Sequence, residues 1–237
     1  VVKVGVFCTT RVMLYVFGID LMDALNLGVL TAYIVSFTIV TASIIAMTRD
    51  NLKSRLAYST ISQLSYIILG VALLTPAAVQ GGIIHIVNHA FAKITLFFCA
   101  GAVYVATRKK NISEMGGLGR VMPFTFGAFA LASLSMIGAP PAGGFITKWY
   151  LLTGALDAGQ LAIILVLAVS TLLNIVYFAP VTFQAFFGRS LDGATRDTGI
   201  REAPLIMVVP IVAAALLSLL AGIFPGVMMQ FVRMVIS

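Results

Sequence analysis

The sequence is short of charged residues. Lysine, arginine, aspartate and glutamate make up 10% of its 237 residues, whereas 60% are hydrophobic. Because soluble domains carry about 25% charged residues, this composition excludes an ordinary soluble domain and indicates an integral protein of the lipid bilayer. Most of the basic residues, which number 15 against 8 acidic ones, lie in short loops between apolar runs. They form no solvated basic face, so we expect no nucleic-acid partner.

Cysteine is also scarce, and its placement indicates no special chemistry. Cys8 and Cys99 fall inside apolar runs without metal-ligand spacing, which predicts two small buried hydrophobic side chains. The chain starts Val1-Val2-Lys3 without a charged leader region or a cleavage site. We therefore expect no signal peptide, and a chain cut from a longer one that begins inside a helix.

Long apolar runs dominate what is present. A membrane-spanning helix needs about 20 such residues. Seven segments qualify: 1–18, 27–48, 54–74, 79–106, 123–156, 160–187 and 204–224. We predict an all-α polytopic membrane protein with about seven transmembrane helices. The third segment carries Ser59, Ser62 and Gln63, so its first half is expected to face protein or water, although ordinary helix–helix hydrogen bonding would also explain these residues.

The fifth segment is too long for one span. At about 1.5 Å per residue, 123–156 would overshoot a hydrocarbon core of about 30 Å. It also contains Gly138-Ala-Pro-Pro-Ala-Gly-Gly144, and proline removes a backbone donor and clashes with the preceding turn, which predicts a broken helix. Lys148 follows one turn later. A lysine reaching out to the membrane surface is the alternative, but its position about midway along the segment argues against that.

The fourth segment contains a buried polar stripe. His85, His89 and Lys93 are four residues apart, so on a helix they share one face about 12 Å long. A charged residue at the membrane centre costs roughly 2.5 to 3.5 kcal/mol, and such residues usually belong to a substrate or ion pathway. Satisfied core histidines remain an alternative. We expect no metal, because the zincin glutamate is missing, and no haem or other cofactor. Asn88 is a candidate to hold water beside the stripe, with ordinary helix–helix hydrogen bonding as an equally good explanation.

The basic residues indicate an orientation. If every segment crosses once, ten of them fall on one side, and the opposite loops hold Asp20, Asp23 and Asp157 without a base. The ten are Arg49, Lys53, Arg55, Arg108, Lys109, Lys110, Arg120, Arg189, Arg196 and Arg201. The positive-inside rule makes their side cytoplasmic. We predict a multi-pass protein of a bacterial-type cytoplasmic (inner) membrane with cytoplasmic basic loops.

Three motifs carry a family resemblance. They are the run from Asp50 to Gln63, the pattern His85-x3-His89-Ala-Phe-x-Lys93, and the run from Gly138 to Lys148. In this order and spacing they resemble the antiporter-like subunits shared by Mrp-type cation/proton antiporters and respiratory complex I, with the D-type subunit of the Mrp antiporters as the nearest group. The resemblance covers about residues 1–190 and is weak beyond them.

The resemblance implies a fourteen-helix subunit with two inverted five-helix repeats. This chain would hold helices eight to fourteen, with the second repeat complete and the N-terminal half missing. Residues 1–190 would form the proton-antiporter-like membrane domain, and 191–237 the C-terminal loop and last transmembrane helix.

The resemblance also assigns roles to the buried basic residues. Lys3 would link the two half-channels, His85, His89 and Lys93 would form the relay, and Lys148 would end it. Lys53 matches a lysine near the cytoplasmic mouth of the channel. Some members of the family carry glutamate where Lys148 stands.

The expected function is that of a proton-translocating subunit in a Na⁺/H⁺ antiporter, with H⁺ and Na⁺ as transported ions and other membrane subunits as partners. The alternative is a proton-pumping subunit of an NADH-quinone oxidoreductase or a membrane-bound hydrogenase. No bond-making chemistry is expected in this chain itself, although such a complex counts as a translocase. Two other classes stay open: a membrane enzyme or cofactor carrier that uses the histidine pair, and a structural scaffold.

Overall fold

The computed structural model describes residues 2–189 and 199–236, which form helices joined by short loops. In chain order the α-helices are α1 (Val2–Arg11), α2 (Ile19–Ala24), α3 (Leu27–Met47), α4 (Leu52–Ala72), α5 (Pro76–Thr107), α6 (Leu118–Val121), α7 (Pro123–Ile137), α8 (Gly143–Asp157), α9 (Leu161–Phe187), α10 (Leu205–Ile223) and α11 (Pro225–Ile236). A π-helical turn, Val12–Phe17, continues α1, and a 3₁₀ turn, Ile112–Met115, follows α5.

The predicted all-α polytopic membrane architecture is confirmed. Four helices in the described part of the chain, α3, α5, α9 and α10, are each long and apolar enough to cross a membrane. α4 has 21 residues but carries a polar face. The short helices α2, α6 and α11 were not predicted, since each is too short or too mixed in composition to stand out as an apolar run. The π-helical turn lies within the first predicted segment, 1–18.

The fifth predicted segment is broken where its glycines and prolines stand. Pro123 occupies the first turn of α7, where a missing N–H costs nothing. α7 ends at Ile137, and Gly138 follows with a φ of 85°, the left-handed conformation that glycine adopts readily. The chain resumes as α8 at Gly143. The predicted break is therefore confirmed, and α7 and α8 are two half-length helices.

Helices α4 and α5 lie at the centre of the packing. One buried apolar cluster joins α4 and α5 to α7, α9 and α10, with Leu56, Leu96 and Phe129 among its members. A second cluster joins α3 and α4 to α8 and α9 through residues such as Ile39 and Leu151. The polar residues in the middle of α4 and α5, such as Ser59, Gln63 and Lys93, are consequently surrounded by protein.

The basic loops gather at one end of the helices. The Leu52 amide donates to the Lys110 carbonyl at 3.0 Å, and the Arg201 amide donates to the Val121 carbonyl at 2.9 Å. Arg120 reaches the carbonyl of Phe186 with Nε at 3.1 Å. Arg196, counted among the basic residues of this side, lies outside the described residues.

The acidic loops meet at the other end. Asp20 and Asp23 line a cavity of about 420 Å³ together with Thr75 and Gln160. The two ends of the helices therefore differ in charge, as the loop composition predicts.

The two cysteines differ in exposure, and the prediction for Cys8 is wrong. Cys99 is buried and its thiol donates to the Thr125 carbonyl at 3.2 Å, whereas Cys8 is exposed. α1 packs on the other helices through Val6, which forms a small buried cluster with Leu64 and Ile67. The opposite face of α1 is exposed. Apolar composition alone cannot separate these two faces.

Candidate functional site

The predicted stripe forms on α5 and is buried. His85, His89 and Lys93 are at most 3% exposed, and the two imidazole ring centres are 5.6 Å apart. Because α5 continues without interruption from Pro76 to Thr107, the three side chains keep the spacing of one helical face. The stripe is therefore a continuous polar line inside an apolar bundle.

Lys93 is held by neutral oxygen atoms. Its Nζ donates to the Leu56 carbonyl at 2.9 Å and to the Ser59 hydroxyl, and it lies 5.6 Å from the centre of the Phe178 ring. Within the part of the chain that the structure describes, no carboxylate forms an ion pair with it. A buried ammonium group without a counter-ion is costly, whereas the neutral amine would keep hydrogen-bonding partners here.

The histidines have no hydrogen-bonding partner among the described residues. Neither ring nitrogen of His85 or His89 is paired, although all four atoms are buried. Most buried polar atoms in proteins are hydrogen-bonded. Because neutral imidazole has one donor and one acceptor nitrogen, the two rings can take up and pass on a proton.

Lys148 lies at the helix break. Its Nζ donates to the Ile137 carbonyl at 2.6 Å and to the Thr171 hydroxyl at 3.0 Å. Ile137 is the last residue of α7, where carbonyl groups lack a partner within the helix and the helix dipole favours a cation. The break therefore creates the acceptor that holds Lys148, which is partly buried.

Asn88 connects the stripe to the break. Its Nδ2 donates to the Gly143 carbonyl at 2.8 Å and to the Thr147 hydroxyl at 3.2 Å, and both partners belong to the first turns of α8. Oδ1 of Asn88 is buried without a partner. The side chain therefore joins α5 to α8 through hydrogen bonds.

Tyr66 occupies the space between the stripe and Lys148, and sequence reasoning did not select it. Its ring centre is 5.7 Å from that of His85, edge to face, and 5.7 Å from the Nζ of Lys148. Its hydroxyl is 2.5 Å from the Ser170 hydroxyl. The signal was present, since Tyr66 continues the α4 face of Ser59 and Gln63 at helical spacing.

The other polar residues of α4 join neighbouring helices. Ser62 lies 2.9 Å from the Ser43 hydroxyl of α3, and the Nε2 of Gln63 donates to the Met136 carbonyl of α7 at 3.3 Å. Asn174 of α9 donates to the same carbonyl at 3.3 Å. Sequence reasoning named Ser62 and Gln63 but missed Ser43 and Asn174, because isolated polar residues in apolar helices carry no signal of their partners.

Lys53 does not join the buried line. It is exposed at the first turn of α4, where its Nζ lies 5.5 Å from the centre of the Tyr104 ring. The structure therefore separates it from Lys93 and places it with the basic loops.

Lys3 lies at the opposite edge of the stripe. It is partly exposed on α1 and lies near enough to Lys93 and His89 for electrostatic repulsion between the charged forms. Lys148 lies near His85 in the same way. Lys3 and Lys148 therefore lie near opposite ends of the stripe.

The fold and the site define a class of protein: a multi-pass helical membrane protein with a line of basic side chains through its interior and a broken helix at one end of that line. A protein-family profile described as "NADH:quinone oxidoreductase/Mrp antiporter, TM" matches residues 1–174. The chain belongs to this family, as the three motifs suggest.

The chain matches only part of the length of a similar protein. It is 40% identical over 191 residues to an NADH-quinone oxidoreductase subunit N from Desulforudis audaxviator (strain MP104C), in an alignment that covers 77% of this chain and 38% of that protein. The alignment therefore spans well under half the length of this relative.

Two solved structures share the fold. In the Mrp complex from Dietzia sp. DQ12-45-1b, a chain superposes with a TM-score of 0.85 at 23% identity, over 97% of this chain and 50% of that one. A chain of the membrane-bound sulfane sulfur reductase, an archaeal respiratory membrane complex, superposes with a TM-score of 0.79 at 27% identity. The superposition covers 86% of this chain and 34% of that one.

Proposed function

We propose that this chain belongs to a proton-translocating membrane subunit, in which protons move along Lys3, Lys93, His89, His85 and Lys148. The observation that carries the proposal is the pair of lysines, Lys93 and Lys148, held by backbone carbonyls and hydroxyls with two unpaired histidines between them. Lysines bound by neutral oxygens can change charge without leaving a buried carboxylate unpaired.

Electrostatic repulsion between the basic residues of the line couples their protonation states. Two unit charges about 10 Å apart repel by about 1.7 kcal/mol at an effective dielectric constant near 20. A proton on Lys3 therefore disfavours one on Lys93, and occupancy shifts through the histidines toward Lys148. Ser59, Ser62, Gln63 and Asn88 support this line by holding the helices around it, and Lys53 lies with the cytoplasmic loops.

The first candidate for the parent assembly is a Na⁺/H⁺ antiporter of the Mrp type, with other membrane subunits as partners. Its support is the fold shared with the Mrp complex over 97% of this chain. The second is a redox-driven complex, an NADH-quinone oxidoreductase or a related hydrogenase-type enzyme, and the relative at 40% identity favours it. We place the protein in a bacterial-type cytoplasmic membrane, with the basic loops in the cytoplasm.

The lysines of the line can be tested in vesicles that contain the full-length parent in its complex. We expect Lys93→Ala and Lys148→Ala each to abolish proton transport. Lys148→Arg should abolish it as well, because arginine keeps the positive charge but does not release its proton. Proton uptake is followed with a pH-sensitive dye.

The control for these variants is Lys109→Ala, a lysine of the basic loop outside the line, which should transport like the wild type. Wild-type transport by Lys148→Arg would contradict a proton-carrying role for Lys148. Dependence of transport on a Na⁺ gradient would identify the antiporter, and dependence on quinone reduction the redox complex.

A further inference from the structure

Three cationic side chains surround one aromatic ring at the basic end of α5. The ring belongs to Tyr104, and its centre lies 5.5 Å from the Nζ of Lys53, 5.5 Å from the guanidinium carbon of Arg108 and 5.1 Å from the Nζ of Lys110. We call these four residues the Tyr104 cluster. Cation–π contacts attract each charge to the ring, but the three charges repel one another.

No protein carboxylate neutralises the Tyr104 cluster among the described residues. The nearby acids accept hydrogen bonds from backbone amides and a serine hydroxyl instead of from the three cationic side chains. Glu114 accepts the backbone amides of Lys110 and Asn111 at 3.3 and 3.1 Å, and Asp50 accepts the Ser113 hydroxyl at 2.7 Å. The cluster therefore keeps an excess of positive charge that an external anion would offset.

The Tyr104 cluster borders a cavity. Its volume is about 200 Å³, and Leu52, Ala100 and Met115 line it together with Lys53, Tyr104 and Lys110. Because one water occupies about 30 Å³ of liquid, this space can accept a group the size of a phosphate. The lining combines cationic tips with apolar walls.

An exposed apolar track leads along α5 to the cluster. Ile94, Phe98 and Val105 are exposed and repeat at helical spacing, so they lie on one face. A side chain at Gly101, which lies between them, would meet no atom within 4 Å. With 32 residues, α5 is about 48 Å long and exceeds the hydrocarbon core. Tyr104, near its end, is consequently placed at the level of the headgroups, where tyrosine is enriched.

We propose that the Tyr104 cluster binds the phosphate of an anionic phospholipid whose acyl chain lies along the Ile94–Val105 face of α5. The positive charge of the cluster favours an anion. Because the cluster adjoins the apolar track, a lipid is favoured over free phosphate. Basic pockets at the ends of transmembrane helices are suited to such headgroups. The inference does not depend on proton movement, so either proposal can fail without the other.

Lipid binding is measured by native mass spectrometry on the full-length parent in a neutral detergent, titrated with phosphatidylglycerol or with phosphatidylcholine of the same chains. Neutralising one cation of the cluster is expected to weaken phosphatidylglycerol binding about fivefold, and the triple variant Lys53→Gln, Arg108→Gln, Lys110→Gln about a hundredfold. Phosphatidylcholine binding should not change.

The matched control is Arg49→Gln, an exposed base at the same end that lies over the ring of Tyr58 instead. It should bind phosphatidylglycerol like the wild type. Gly101→Leu obstructs the track, so it should weaken the lipid but leave binding of glycerol phosphate unchanged.

Three results would overturn the proposal. The triple variant could bind phosphatidylglycerol as tightly as the wild type, or Arg49→Gln could lose as much affinity as a variant of the cluster, which would indicate diffuse surface charge. Competition by glycerol phosphate at the same concentration as the lipid would identify a free-phosphate site.

Discussion

At the scale of single residues, the two lysines of the line are hydrogen-bonded in the same way. Lys93 and Lys148 both donate to a backbone carbonyl and to a hydroxyl, at Leu56 and Ser59 for the first and at Ile137 and Thr171 for the second. A carboxylate partner would favour the charged lysine strongly, because breaking a buried ion pair costs several kcal/mol. Neutral acceptors impose less of a preference, which suits a group that must gain and lose a proton.

Among the hydroxyl groups of the site, we expect that of Tyr66 to have the largest effect on stability and proton transport. Tyr66→Phe keeps the ring between His85 and Lys148 but removes the contact with Ser170 and leaves that hydroxyl buried and unpaired. We expect the free energy of unfolding to fall by about 1 kcal/mol and proton transport to slow, since the ring loses its anchor. Thermal or denaturant unfolding in detergent measures the first effect, and the vesicle assay the second.

A double-mutant cycle distinguishes this contact from a general packing effect. If the Tyr66 hydroxyl acts through Ser170, Ser170→Ala combined with Tyr66→Phe should cost less than the sum of the two single variants. Additive losses would show that the contact is not the cause. Tyr58→Phe, on the same helix but outside the site, serves as the reference for removing a phenolic hydroxyl.

At the scale of secondary-structure elements, the broken helix is built by close backbone approach. A Cβ on Gly144 would clash with the Ser135 carbonyl, and one on Gly143 would lie 2.8 Å from Oδ1 of Asn88. The two glycines therefore let the start of α8 pack against the end of α7 and against α5. Since Lys148 stands one turn further on, the geometry of the break determines where its ammonium group lies.

Gly144→Ala should displace α8 from α7. We expect it to destabilise the protein by about 1 to 3 kcal/mol, the usual cost of overpacking, and to impair proton transport by moving Lys148 away from the Ile137 carbonyl. Unfolding and transport are compared with Gly127→Ala on α7, where an added Cβ meets no atom within 4 Å. The control should be neutral or slightly stabilising, because alanine favours helix more than glycine does. Wild-type stability and transport in Gly144→Ala would show that the site tolerates a wider separation of α7 and α8.

At the scale of the whole molecule, the loop after α3 and the loop after α5 are paired at the basic end. An isolated β-bridge joins Asn51 and Asn111, and the Ile112 amide donates to the Asp50 carbonyl at 2.9 Å. Glu114 closes a capping box with Asn111 in the second loop. This pairing holds the ends of α4 and α5 together, and the stripe and its α4 partners depend on that alignment.

The loop pairing should weaken in acid. The backbone amides of Asn111 and then Lys110 hold the pKa of the Glu114 carboxylate below its usual range, which is about 4.3 in an unfolded chain. A depressed pKa contributes stability that is complete above the unfolded value and is lost as pH falls through the folded one. Hydrogen exchange of segment 108–115, corrected for the intrinsic rate, should therefore show opening only below about pH 4.

Glu114→Gln tests the cause of this acid opening. Glutamine can still accept the capping hydrogen bonds but does not titrate, so segment 108–115 should lose its pH dependence. Asp157→Asn, at the opposite end of the helices, should leave the acid opening intact. Equal opening in wild type and Glu114→Gln would assign it to another group.

The sequence by itself determined the helices and the stripe. Apolar runs of sufficient length predict the spans within a few residues, because helix formation in a membrane requires only local hydrogen bonds and apolar side chains. The run of prolines and glycines before Lys148 predicts the break for an equally local reason, the missing donor of proline. His85, His89 and Lys93 share a face because helical periodicity alone places them there.

Only the tertiary structure decided what those residues touch. Lys93 meets the Leu56 carbonyl across 37 positions of sequence, and Tyr66 comes between His85 and Lys148 because α4, α5 and α8 converge there. Cys8 faces outward although the apolar run around it resembles the run around Cys99. Which face of an apolar helix meets protein depends on how several helices pack together, and a uniformly apolar sequence leaves that choice to the whole fold.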